Sequence, residues 1–177
     1  MKSRKIKTKD VVLLAMLTAI IFVQEQVLSF IPQFQFTILL LVLYSKCLGF
    51  YKTSIIIIIH VLLDNLVMGS LNYIYTPAMI IGWLFIPLLL NTVFKKINSP
   101  IGLALTSILF SLLYSWSFIP INVLATDVDF FAYLIADIPF EIMLIVYSFL
   151  TIIWLYKPLE KVLKSLNDSY GFNNEEK

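Results

Sequence analysis

From Val11 to Tyr156 the chain is a succession of apolar runs, and basic residues interrupt that succession in only two places. Lys2, Arg4, Lys5, Lys7 and Lys9 precede the first run. Lys46 and Lys52 divide the second from the third, Lys95 and Lys96 the fourth from the fifth, and Lys157, Lys161, Lys164 and Lys177 follow the last, which accounts for all thirteen Lys and Arg. Apolar stretches that recur at this length are solvated by lipid rather than by a protein core. The balance of the 177 residues agrees, since 60% are hydrophobic and 14% charged, against about a quarter charged in a soluble domain. Mean hydropathy is +0.91. The expectation is an all-α integral membrane protein.

Punctuation by proline, glycine and charge predicts a compact bundle of six transmembrane helices, at 11–30, 36–48, 53–68, 78–94, 101–119 and 132–156, within a single domain covering 1–166. Pro32 ends the first span, Gly49 lies in the turn from Lys46 to Lys52, and Pro77 is expected as the first residue of the fourth span, where a missing amide costs nothing. Gly82 and Pro87 allow a kink there. Pro100 opens the fifth span, Pro120 stops it, and 121–131 reads as a loop with Asn122, Asp127 and Asp129. Pro139 interrupts a sixth span long enough to absorb it. Beyond Pro158 a short amphipathic cytoplasmic helix is expected, and then a disordered tail at 167–177.

The basic residues fall in every second connection, so the positive-inside rule places both termini in the cytoplasm, N-in and C-in, in the plasma membrane. The first run leads into further spans and lacks a small-x-small cleavage site, so it reads as a span rather than a signal peptide. No internal repeat and no inverted pair of three-helix halves is visible, which gives the common secondary-transporter architecture no support. The single cysteine, Cys47, excludes an internal disulfide.

The third span carries the chain's only histidine, His60, followed within five residues by Asp64 and Asn65. Unpaired in hydrocarbon, such groups cost several kcal/mol each, so they must face protein or water. At 1.5 Å rise per residue His60 lies about 10 Å from the cytoplasmic start of its span, and Asp64 and Asn65 about 17 Å. Gln24, Glu25 and Gln26 reach a similar outer depth from the first span, Asp137 and Glu141 from the sixth, and Trp116 and Asn122 lie at the outer end of the fifth. Singly, each has a plain structural reading, as interhelical glue or, for Trp116, Tyr73 and Tyr75, as an interfacial aromatic belt. Their convergence in one layer exceeds what glue requires. Glu25, His60, Asp64, Asn65, Trp116, Asn122, Asp137 and Glu141 are therefore expected to line an outward-facing binding site. His60 and Asp64, like Asp137 and Glu141, are four apart and share a helix face. One of the four acids is expected to be protonated or paired with His60, and His60 itself either fixes the floor of the site or pairs with Asp64. With no Lys or Arg in the layer, a neutral or cationic ligand fits better than an anion.

Other chemistries find little footing. One His among carboxylates makes a weak metal site, there is no Gly-x-Ser-x-Gly, and no phosphate-binding Gly-rich loop exists, so any ATP-derived energy must come from a partner. The best enzymatic alternative is an aspartyl intramembrane hydrolase in which Asp64 and Asp137 share a proton. The expectation is a protein that is not an enzyme and takes no cofactor, metal or nucleic acid.

Ala15-Met16-Leu17-Thr18-Ala19 sets two small residues one turn apart near the cytoplasmic end of the first span, a spacing that lets another helix approach closely. Together with the roughly 20 kDa six-span layout and the polar outer layer, the text from Gln24-Glu25-Gln26 to Tyr44-Ser45-Lys46, and His60-Val61-Leu62-Leu63-Asp64-Asn65, resembles the substrate-binding S components of energy-coupling factor (ECF) transporters. The resemblance spans Lys9 to about Leu166 and matches the pocket signature of none of the thiamine, riboflavin, biotin or folate members. It implies capture of a vitamin-like micronutrient from outside, docking onto a transmembrane coupling protein driven by two cytoplasmic ATPases, and toppling to release the cargo. It further implies that Ala15 and Ala19 contact the coupling protein and that 29–35 and 69–76 act as lids. The alternatives from other classes are a stand-alone proton-linked carrier using Asp64, Asp137 and Glu141, and a structural membrane protein that binds no small molecule.

Overall fold

Serine and threonine hydroxyls, prolines and one glycine set the helix ends in the structure, a computed structural model that describes residues 8–67, 73–126 and 128–170. The elements in order are α1 (Thr8–Leu28), α2 (Thr37–Val67), α3 (Tyr75–Asn91), α4 (Pro100–Trp116), α5 (Ile119–Thr126) and α6 (Phe130–Tyr170), with no strand among the described residues. At the start of α4 the Ser99 hydroxyl accepts from the Gly102 amide at 3.1 Å and Pro100 occupies the first turn, so the local sequence both caps the helix and removes an amide that would have had no partner.

The α2 helix is not straight. Gly49, at φ 79 and ψ 179, breaks it, and the Thr53 hydroxyl donates to the Gly49 carbonyl at 2.9 Å, satisfying an acceptor at the break. The Thr37 hydroxyl donates to the Glu25 carboxylate and His60 Nε2 lies 3.2 Å from it, although a straight helix would hold Thr37 and His60 about 34 Å apart. The chain therefore folds back at Gly49. The first arm is buried on every side from Thr37 to Ser45, as an all-round apolar helix at the centre of a bundle must be. Around it pack α1, α3, α4 and α6, with α4 also lying against α3 and α6. Ile21, Leu41, Ile57, Ile86, Phe110 and Ile152 bring these elements together in one core.

Four stretches are long and apolar enough to cross a membrane, Thr8–Leu28, Thr37–Val67, Pro100–Leu124 and Phe130–Leu166, while Tyr75–Asn91 is a shorter apolar helix. Six separate spanning helices, as expected from sequence, are thus not reproduced, although the second and third expected spans correspond to the two arms of α2 on either side of the Gly49 break. Pro120 does not stop the fifth span, because α4 ends at Trp116 and Pro120 instead sits in the first turn of α5, a helix where a loop was expected. Pro77 lies third in α3 rather than first. Pro158 likewise fails to separate a tail helix. The 41-residue α6 continues through Pro139 and Pro158 to Tyr170, held to the core on both sides of Pro158 by Tyr156 and Leu163, so 167–170 is helical rather than disordered. Residues 171–177 lie outside the described part of the chain.

The two ends of the bundle differ in chemistry. At one, Lys52 pairs with Asp10 at 2.9 Å, Lys46 donates to the carbonyls of Phe94 and Lys95 beyond the end of α3, and Glu160 holds Lys157 and Lys164, with Cys47 nearby. The start of α1, the Gly49 bend, the end of α3 and the last third of α6 therefore meet there. The other end gathers the acids.

Candidate functional site

At the acidic end, α1 closes with Gln24-Glu25-Gln26, and each side chain reaches a different backbone or side-chain partner. Gln24 accepts from the Phe36 amide and donates to the Thr37 hydroxyl, both at 2.8 Å. Thr37 in turn donates to Glu25 Oε1. Glu25 Oε2 lies 3.2 Å from His60 Nε2, which reaches it from the second arm of α2. Gln26 donates to Asp64 Oδ1 at 2.9 Å. These contacts form one directional network: Gln24 to Thr37, Thr37 to Glu25, and His60 to Glu25 from the other side.

His60 is paired with one of the four acids, and the partner is Glu25 rather than Asp64 on its own helix. A spacing of four places Asp64 alongside His60, but the imidazole points across to Glu25 on α1, and Asp64 is held by Gln26. His60 is only 1% exposed, and the Glu25 side chain 16%. The other ring nitrogen, His60 Nδ1, is buried and has no hydrogen-bond partner among the described residues.

The α4 C-terminal turn divides its side chains between two groups. The Tyr114 ring stacks on Trp83 of α3 at 3.7 Å between centroids, and the phenol lies within electrostatic reach of Glu25 and Asp64. The next residue, Ser115, donates to Asp137 Oδ2. Trp116, half exposed, lies beside Glu141, whose Oε1 is buried without a partner among the described residues. Asp137 and Glu141 thus face α4 one turn apart. Tyr133, on the turn before Asp137, lies within electrostatic reach of both Asp137 and Tyr75.

The remaining expected site residues are engaged in tying helices together. Asn65 donates to the Val61 carbonyl at 2.8 Å and approaches Met79 Sδ at 3.5 Å, while its Oδ1 accepts from Thr76 at 3.1 Å. That pattern joins α2 to the start of α3. Asn122 accepts from the Tyr75 hydroxyl at 2.9 Å and donates to the Phe118 carbonyl, fastening α5 to α3. Glu25, His60 and Asp64 are therefore brought together, Asp137, Glu141 and Trp116 form a neighbouring group, and Asn65 and Asn122 act as interhelical ties.

Of the two expected lids, 29–35 crosses the acidic end with Gln33 at φ 58 and sets Phe34 edge-on to Tyr147 of α6 at 5.0 Å. The other falls largely on 68–72, outside the described residues, as does Asp127. Among the described residues no three His, Cys, Asp or Glu side chains are placed to hold a metal ion. Ala15 and Ala19 lie on the outward face of α1 with Val12, Met16 and Val23, and so do not pack within the bundle.

Thr37 and Ser115 were not legible as site residues in the sequence, whereas Tyr114 falls in the polar outer layer expected at the end of the fifth span. A hydroxyl in an apolar helix usually bonds its own preceding turn, as Ser45, Ser54 and Thr106 do here. Only the tertiary arrangement shows that Thr37 and Ser115 donate to carboxylates instead.

No family model, no curated protein and no solved structure matches the chain.

Proposed function

We propose that this chain is the membrane-embedded substrate-binding subunit of an ECF-type transporter, with six membrane crossings counted through the Gly49 fold-back and both termini in the cytoplasm. It captures a small vitamin-like micronutrient at the acidic end and hands it on through a transmembrane coupling protein driven by two ATPases. The observation that carries this reading is the meeting of Glu25, His60 and Asp64 beside Asp137 and Glu141 at the end of the bundle opposite the lysines. Acids gathered on lipid-embedded helices, away from every described Lys, are costly to keep unless a ligand or ion uses them. The outward position of Ala15 and Ala19 supports a partner face, since small exposed side chains leave room for a second helix.

The test has two arms. A panel of vitamins and precursors is screened against the purified protein by thermal shift, because a ligand that binds the native state raises its stability. Ala15→Trp and Ala19→Trp should then abolish uptake by the complete transporter while the isolated variants keep their ligand. Unchanged uptake sinks the partner-face assignment, and silence across the panel with no co-purifying ATPase favours a structural membrane protein.

The second reading is a stand-alone proton-linked carrier, favoured by the Gln24–Thr37–Glu25 chain of hydrogen bonds and the 3.2 Å approach of His60 to its end. It is distinguished by uptake in vesicles without any ATPase. An aspartyl hydrolase gains less, because Asp64 and Asp137 have separate partners, Gln26 and Ser115, on different helices.

A further inference from the structure

The hydrogen-bond inventory at Glu25, His60 and Asp64 is lopsided, and the imbalance defines the chemistry of what can bind there. Three side-chain donors around the acids have acceptors, Gln24 on Thr37, Thr37 on Glu25 and Gln26 on Asp64, and the Tyr114 phenol lies within reach of both Glu25 and Asp64. The Thr37 hydroxyl, which accepts from Gln24, can only donate to Glu25, and Glu25 as a carboxylate is acceptor-only. Its second oxygen lies 3.2 Å from His60 Nε2, and a carboxylate oxygen that close places the ring proton on that nitrogen. The other nitrogen, Nδ1, then presents a bare lone pair. It is buried in a side chain only 1% exposed and has no donor among the described residues.

A doubly protonated imidazolium would instead leave a buried N–H unanswered. Asp64, one turn along the same helix, takes Gln26 on Oδ1 and makes no hydrogen bond to Nδ1. The other buried side-chain atom without a partner among the described residues, Glu141 Oε1, is also an acceptor. The described Lys side chains that could neutralise these acids lie at the opposite end of the bundle, on Asp10, Glu160 and the carbonyls beyond α3.

Resting on the reading of this end as a ligand site, we infer that its ligand is an organic cation bearing N–H donors, an amidinium, guanidinium or protonated amine, which donates to His60 Nδ1 while Asp64 and Glu25 balance its charge. The donor is required as well as the charge, because a buried acceptor left unanswered in the complex carries its full desolvation cost. A site built to receive a donor discriminates strongly against an analogue that lacks one. A quaternary ammonium of equal charge and size should therefore bind poorly.

The test uses the full chain in lipid nanodiscs and four probes of one size, benzamidine, benzamide, phenyltrimethylammonium and benzoate, read by thermal shift and calorimetric titration. Benzamidine should stabilise the protein, with the other three at least about tenfold weaker, and Asp64→Asn should weaken benzamidine by about tenfold, the loss of one charge-assisted contact. His60→Leu should reduce the preference for benzamidine over phenyltrimethylammonium. If that variant does not fold, the wild-type ranking of the four probes decides alone. Tighter binding of benzamide or benzoate overturns the cation assignment and leaves the binding-subunit reading standing. Equal binding of phenyltrimethylammonium overturns the donor requirement, and no binding of any probe at millimolar concentration overturns the inference. The wider reading fails separately, through a silent vitamin panel and the absence of an ATPase partner.

Discussion

His60 and Glu25 form a buried pair whose partners are supplied by different helices, so each should depend on the other. Removing one partner leaves the second desolvated and unanswered, which costs more than removing both. Glu25→Gln and His60→Gln are each expected to destabilise the protein by about 1–3 kcal/mol, and the double variant by less than their sum. Unfolding of the four proteins in a mixed-detergent titration measures this, and strict additivity would show that the pair is not coupled. Gly82 poses a different constraint. A Cβ there would come within 2.8 Å of Ser117 Oγ and 2.9 Å of Tyr114 Cδ2, in a ring already stacked on Trp83. Gly82→Ala should cost about 1–3 kcal/mol through overpacking, seen as a lower thermal midpoint, and an unchanged midpoint would mean that the Tyr114 stack yields freely. The acids and His60 were legible in the sequence because charge is conspicuous in an apolar run. Their pairing was not, because spacing along one helix says which residues share a face and nothing of what faces them from another.

At the scale of elements, the fold-back in α2 depends on one residue. Gly49 combines φ 79 with ψ 179, a region that is essentially glycine-only, and nothing lies within 4 Å of a Cβ built there. The cost of a substitution is therefore conformational rather than steric. Gly49→Ala and Gly49→Asn should destabilise equally, by about 1–3 kcal/mol, since the tolerance of Asn extends to the left-handed helical region and not to this one. Rescue by Asn relative to Ala in the same unfolding titration would contradict the geometry. The bend was readable because Gly49 sits between Lys46 and Lys52, where charge and backbone freedom coincide. Prolines were harder to read. Pro120 opens α5 and Pro158 lies within α6, and the same residue type starts, kinks or ends a helix according to which carbonyls and which core contacts surround it.

For the whole molecule, the consequence of the two unlike ends is an orientation. The contacts of Lys46, Lys52 and Lys164 place the described basic turns together, and that was readable from the spacing of the lysines alone, because hydropathy and charge alternate along the chain whatever its tertiary packing. Which helices would enclose the acids was beyond it, since α2 supplies both a central pillar and a wall of the site. If the lysine end is cytoplasmic, single cysteines introduced into a Cys47→Ser background should divide sharply under a membrane-impermeant maleimide. Tyr73→Cys and Leu124→Cys, at positions 94% and 83% exposed near the acidic end, should label in intact cells. Lys96→Cys, on the turn after α3, should label only after permeabilisation. The reverse pattern would place the acidic end inside and remove the basis for capture from outside. Labelling of Tyr73→Cys and Leu124→Cys on opposite sides would break the argument differently, because α3 and α5 are tied at this end by the Tyr75–Asn122 hydrogen bond and cannot present it to both faces of the membrane.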